Sequence, residues 1–177
     1  MSSLLANVVK SILYVLPAYV ANGSPVVGVR FLGRRTPIDL GARAWDGRRV
    51  LGDGKTIEGL IIGVSLGTLT GLILYLCGNP GGHRAALEPL LLALGAMLGD
   101  ILGSFVKRRI GLRRGQPAPC LDQLGFLVAA LALSSLVYGL PSWMDSSTLL
   151  LLLVVTGLLH LGTNYLAYLL GLKREPY

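Results

Sequence analysis

An all-α integral membrane protein with five transmembrane helices is the fold class this sequence predicts, on three observations. Of 177 residues, 53% are hydrophobic and only 14% charged, and the mean hydropathy is +0.64. Those values suit a polytopic membrane protein and not a soluble domain of this length. The apolar residues fall into five runs, at about 4–22, 57–77, 87–106, 120–140 and 149–170, each near the roughly 20 residues that cross a bilayer core as a helix. The cations are partitioned as well. Seven Lys and Arg lie in 23–55, five in 107–114 and two in the tail, fourteen of the sixteen, while the alternate turns carry only Arg84. By the positive-inside rule the basic side is cytoplasmic, the N-terminus outside and the C-terminus inside. The length allows one membrane-embedded domain over 1–177.

The first run lacks the cationic start and small-residue cleavage site of a signal peptide, so it reads as a membrane helix. Lys10 near its middle either snorkels or pairs inside the bundle, or contacts phosphate. Pro17 predicts a kink, and Asn22, Gly23 and Pro25 predict the helix end. The connection over 23–55 carries Arg30, Arg34, Arg35, Arg43, Arg48, Arg49 and Lys55 against Asp39, Asp46 and Asp53. Its Gly, Pro and Thr content and interleaved apolar residues predict a long, ordered, hairpin-like or irregular loop on the cytoplasmic side, with V-V-G-V-R-F-L-G at 26–33 able to form a short strand. Loops of this length are commonly functional.

That loop ends in G-D-G-K-T-I-E-G at 52–59. A P-loop would need glycine at 49, where Arg49 stands, and a strand in front, so that reading fails. What remains is a helix entry that Thr56 can cap, with amides pointing at the loop, Lys55 beside them and Asp53 available to a metal.

The chain is organised around 95–126, where one apolar segment with a single acid, Asp100, passes through a basic loop and re-enters apolar sequence at Asp122. Ser104, Lys107 and Arg108 follow Asp100 at +4, +7 and +8 and continue one helical face toward the rim. Asp122 falls in the first turn of the fourth helix, where a carboxylate is favoured. Acids at membrane depth are costly and mark ion or substrate sites. A carboxylate for a divalent cation, with cations beside it for phosphate oxygens, is the equipment of phosphoryl or nucleotidyl transfer. His83 sits in a turn far from these acids and takes no catalytic role. His160 and Asn164, four apart, either join helices or meet substrate. Cys77 and Cys120 have no metal-ligand spacing and read as free thiols.

The blocks L-P-A-Y-V-A-N-G-S-P at 16–25, L-G-D-G-K-T-I-E-G at 51–59, L-G-D-I-L-G-S-F-V-K-R-R at 98–109 and C-L-D-Q-L-G-F at 120–126 resemble the archaeal CDP-archaeol synthase family, over essentially the whole chain. The resemblance implies a membrane cytidylyltransferase that uses CTP and Mg²⁺ to convert 2,3-bis-O-(geranylgeranyl)-sn-glycerol 1-phosphate to CDP-archaeol and pyrophosphate. Under it, Asp100 and Asp122, then Asp53, are the expected Mg²⁺ ligands. Lys55, Lys107 and Arg108 are expected to hold the triphosphate, with Thr56, Asn22 and Ser104 as hydrogen-bond donors. The similarity to CDP-diacylglycerol synthases is partial. Ser104, Lys107 and Arg108 fit their S-x-x-K-R element and Asp122-Gln123 stands near their D-R-x-D, but Arg113-Arg114 replace their Lys-Asp, and their last Asp falls at Gly125.

Three other classes fit the sequence less well. A CDP-alcohol phosphotransferase wants D-G-x-x-A-R, whereas Asp46-Gly47 is followed by Arg48, Arg49, Val50 and Leu51. An ion carrier or channel accounts for buried acids but not for the one-sided cations. A scaffold that holds anionic lipid accounts for the cations but not for the acids.

Overall fold

The structure is a computed structural model that describes residues 3–172 apart from 34 and 114; the cations Arg34, Arg114, Lys173 and Arg174 lie outside the described residues. Five helices follow in order, α1 (Ser3–Leu32), α2 (Ile57–Leu76), α3 (Glu88–Arg109), α4 (Leu121–Tyr138) and α5 (Ser146–Leu169). All five are long and apolar enough to cross a membrane. The connections alternate between two ends of the bundle. The basic end carries residues 33–56 and 110–120, and the opposite end carries the turns at 77–87 and 139–145.

The expected end of α1 at Asn22 to Pro25 is corrected. The helix continues to Leu32 with Pro17 and Pro25 inside it, so 26–33 is not a strand. Neither proline has an N–H to donate to the carbonyl four residues earlier, at Leu13 and Ala21 respectively. Glycines of other segments press on both carbonyls. A Cβ built on Gly81 would lie 3.0 Å from Leu13 O, and one built on Gly63 2.7 Å from Ala21 O. Both proline-bearing turns are thus packed tightly against neighbouring segments. At 30 residues and about 1.5 Å per residue, α1 outreaches a bilayer core of roughly 30 Å and lifts the long loop clear of it.

Gly59, Gly63, Gly67 and Gly71 form a buried stripe on α2, one every four residues. It is wedged between α1 and α3. A Cβ at Gly67 would meet Pro17 O at 2.5 Å and Ala93 Cβ at 2.9 Å, and one at Gly71 would collide with Pro89 and Pro17. Small residues at this spacing let backbones approach, which drives helix association where no hydrophobic effect operates. Gly95 and Gly99 do the same between α3 and α4. Gly67→Ala is expected to lower thermal stability in detergent by about 1–3 kcal/mol through overpacking, whereas Gly157→Ala, with nothing within 4 Å, should leave the melting midpoint near that of the parent.

At the end away from the cations, Glu88 and Tyr14 are fully buried. Tyr14 Oη donates to Glu88 Oε1 at 2.7 Å, Ser134 donates to the same oxygen at 3.1 Å, and Arg84 pairs with Glu88. This satisfied network ties α1, α3 and α4 together. Lys10 lies here too, its Nζ 4.7 Å from the Trp143 ring centroid, so it is held by a cation–π contact far from the basic end. His83 is buried and bonded to Tyr14 O at 3.0 Å. Burial pushes its imidazole pKa down, although the bond to Tyr14 opposes the shift. α5 docks on the bundle through Leu152 and through Tyr19 Oη, which meets Thr156 Oγ1 at 2.6 Å. His160 stacks loosely on Phe126 at 6.1 Å, a contact that joins α4 and α5.

Candidate active site

Residues 35–56 form an ordered, hairpin-like loop, closed by isolated antiparallel bridges Pro37–Thr56 and Arg43–Arg49. Its hub is Asp39, whose side chain is 2% exposed. That carboxylate accepts from Arg49 Nε and Nη2 at 3.2 and 2.6 Å and from the amides of Leu51 and Gly52 at 3.0 and 2.9 Å. The Arg49 bond, with the amides behind it, holds the Asp39 carboxyl well below the usual carboxylate range. Glu58 closes the base of the hairpin, accepting from Thr36 N at 2.9 Å and Thr36 Oγ1 at 2.7 Å. The tip is latched to α3. Arg109 pairs with Asp46 at 2.8 Å and donates to Arg49 O at 2.6 Å, and Arg48 Nη1 donates to Arg109 O at 2.8 Å.

This scaffold brings Gly52, Asp53, Gly54 and Lys55 against Ser104, Lys107 and Arg108 of α3. Together with Leu51 and Gly115 they line a cavity of about 150 Å³ at the basic end. Five of the residues predicted from sequence therefore meet in one place. The two principal acids join it through the lysines. Lys55 Nζ donates to Asp100 Oδ2 at 2.5 Å, and Lys107 Nζ donates to both Asp122 oxygens at 3.0 and 2.8 Å. Asp122 also accepts from Ala118 N at 2.9 Å, which fixes the start of α4. Both carboxylates are about a third exposed, at 31% and 35%. Pairs at that exposure contribute little to stability, so their cost to the fold is small and their positions reflect the pocket.

Two predicted donors are placed elsewhere. Thr56 Oγ1 is buried and accepts from Gly59 N at 3.1 Å, the N-cap of α2, so its side chain serves the helix. Asn22 is half-buried within α1 and does not line the cavity. Asp53 lies on the rim, 62% exposed and paired with Arg49 at 2.7 Å. Among the described residues no three His, Cys, Asp or Glu side chains gather as a preformed metal cluster. Cys77 and Cys120 are free and exposed, as expected.

Sequence reasoning missed Asp39, Arg49 and Arg109, which build the rim without lining the cavity as predicted ligands. The available signal was an acid directly after T-P-I in a stretch otherwise crowded with arginine. Asp39→Asn should speed hydrogen exchange over 38–56 by about 10- to 100-fold at neutral pH, for a lost charged bond network of about 1.5–3 kcal/mol. The sign with pH follows from the depressed folded pKa. The stabilisation is complete above the unfolded value of about 4 and is lost as pH falls through the folded one, so wild type and variant should converge in strong acid.

The comparisons with known proteins agree over nearly the full length. The CDP-archaeol synthase of Pyrobaculum calidifontis is 48% identical over 171 residues, 97% of this chain and 99% of the relative, and that of Thermococcus onnurineus is 50% identical over 93% of this chain and 94% of its own. A solved structure described as an intramembrane enzyme for archaeal membrane lipids biosynthesis superposes with a TM-score of 0.78 at 43% identity, covering 89% of this chain and 94% of its own. With five spanning helices, the molecule is a multi-pass membrane enzyme. The family profile for CarS-like CDP-archaeol synthases matches residues 4–177, and the chain belongs to that family.

Proposed function

We propose that the chain transfers the cytidylyl group of CTP to the phosphate of 2,3-bis-O-(geranylgeranyl)-sn-glycerol 1-phosphate, giving CDP-archaeol and pyrophosphate for membrane phospholipid synthesis, at a pocket that faces the cytoplasm. The observation that carries this reading is the cavity where Lys55, Ser104, Lys107 and Arg108 meet Asp53, with Asp100 and Asp122 bonded to its lysines, in a chain of this family. Both substrates are anions, so catalysis rests on positioning and neutralisation.

An oxygen of the lipid phosphate attacks the α-phosphorus of CTP. The new P–O–P bond forms as the α–β bridging P–O bond breaks, and its electron pair leaves on pyrophosphate. A phosphate dianion carries no proton on the attacking oxygen and needs no general base. Lys55, Lys107 and Arg108 neutralise the triphosphate, and Ser104 donates a hydrogen bond to it. Until nucleotide arrives the carboxylates hold the two ammonium groups in place. A triphosphate competes for those ammonium groups and releases the acids.

The released acids suit Mg²⁺. Asp100, Asp122 and Asp53 are hard oxygen donors at a wet rim, already bound to cationic groups, and Mg²⁺ commonly takes one or two carboxylates with substrate phosphates and water. When bound, the ion would draw charge from the phosphate oxygens. Part of the isoprenoid chains would lie against the open apolar face of α5 formed by Val155, Leu158, Leu159, Gly162, Thr163 and Leu166.

Purified protein with Mg²⁺, labelled CTP and the ether-lipid phosphate should release pyrophosphate and form a CDP-lipid. Failure of both products across varied lipids and metals would remove the reading, and turnover of CDP-lipid with an alcohol acceptor would replace it with a phosphotransferase. Orientation has its own test, because Cys77 and Cys120 are exposed at opposite ends. An impermeant maleimide outside intact cells should label Cys77 in a Cys120→Ser protein and spare Cys120 in a Cys77→Ser protein. The reverse pattern would put the pocket away from cytoplasmic CTP.

A further inference from the structure

Trp45 is 84% exposed, yet its surroundings hold it in one place. Its ring is edge-on to Phe105 at 6.2 Å, and the Arg109 guanidinium lies 5.4 Å from the Trp45 centroid and 5.2 Å from that of Phe105. Leu98, Leu102, Phe105 and Arg109 recur at +4, +3 and +4, one stripe along α3. Leu98 and Leu102 are 42% and 59% exposed. α3 buries its other sides, with Ala93 and Met97 against α2 and Gly95 and Gly99 against α4. In a membrane-spanning helix the stripe therefore faces lipid. The hairpin thus carries an indole over the end of α3 onto its lipid-facing flank, about one helical turn inward of Arg109.

A ring this size left in water forfeits the stabilisation that burial gives. At the headgroup depth of a bilayer the same ring is favoured, since its apolar body and its N–H suit a region apolar on one side and wet on the other. Arg48, exposed on the same hairpin, matches anionic headgroups. We propose that Trp45, braced by Phe105 and Arg109, is an interfacial anchor that seats the hairpin in the headgroup region of the leaflet at the basic end. The partner of this surface is the lipid interface itself. Through the bonds of Arg109 to Asp46 and Arg49 O, the bilayer then helps fix the segment that runs on to Gly52 and Lys55. The inference depends on the membrane-spanning bundle and not on the chemistry of the pocket.

The chain has two tryptophans, and Trp143 packs against Tyr14 at 5.8 Å at the other end. Trp143→Phe isolates Trp45, and the difference between wild type and Trp45→Phe isolates it again if Trp143→Phe disturbs folding. The full-length protein is placed in nanodiscs containing phospholipid brominated at shallow acyl positions. The expected result is a loss of Trp45 emission to brominated lipid larger than the loss to aqueous iodide. A larger loss to iodide would put the indole in water and overturn the anchor.

Discussion

Asp100→Asn and Asp122→Asn should each lower CDP-lipid formation by about 10²–10³-fold, the scale seen when one preorganised electrostatic partner is removed from a transition state. Asparagine keeps size and polarity but removes the charge a hard cation requires. Folding should survive. Each acid is about a third exposed and paired with one lysine, so the substitution leaves an ammonium at a wet rim and not an isolated charge in a core. The measurement is initial rate at saturating lipid across a Mg²⁺ titration, with melting curves alongside. A variant that turns over at the wild-type rate at ordinary Mg²⁺ is not a ligand variant, and that acid then serves only to place its lysine. The two positions also differ in a way the titration can read. Asp122 is held by Ala118 N as well as Lys107, so its loss should disturb the start of α4, whereas Asp100 sits in mid-helix with Lys55 as its bonded partner.

The legible part of this molecule is what periodicity and charge encode. Five apolar runs give five helices because backbone groups in a bilayer must be satisfied within a segment. The +4, +7, +8 spacing from Asp100 gives a shared face because the helix imposes it, and Ser104, Lys107 and Arg108 do meet in one cavity. The end of α1 was not legible for a tertiary reason. Pro25 stays within the helix where Gly63 of another helix packs closely against Ala21. The glycines at 59, 63, 67 and 71 state that contact openly in their spacing, but reading α2 as an apolar run alone misses it. The rim was not legible because it depends on pairings across the hairpin. The T-P-I before Asp39 is a local signal, but it does not say that this acid organises Arg49 and two amides while Asp53 is exposed. Thr56 shows the reverse ambiguity, since one hydroxyl suits a cap and a phosphate equally in sequence, and the contact with Gly59 N decides for the cap.

Lys55→Gln and Lys107→Gln should differ in kind. An ammonium that meets phosphate equally in ground and transition states contributes uniform binding, whereas one that acts where charge grows on the leaving group acts on the rate. Lys55 stands at the end of the hairpin, one residue before the cap of α2, where helix amides already favour an anion. Its backbone carbonyl is tied to Ile38 N at 2.9 Å, so the glutamine variant keeps the rim. The expected effect is a rise in the KM for CTP of about tenfold, the worth of one charged bond of roughly 1.5 kcal/mol, with kcat recovered at high nucleotide. Lys107 is two helical turns from Asp100 on the same face and grips both oxygens of Asp122. Glutamine there removes a charge from the phosphate side and loosens a proposed metal ligand at once. Its expected effect is a fall in kcat of about 10²-fold or more that no concentration of CTP restores. Measuring kcat and KM for both at saturating lipid decides the matter. A Lys107→Gln enzyme fully rescued by CTP would assign that lysine to ground-state binding, and would leave Asp122 positioned by Ala118 N alone.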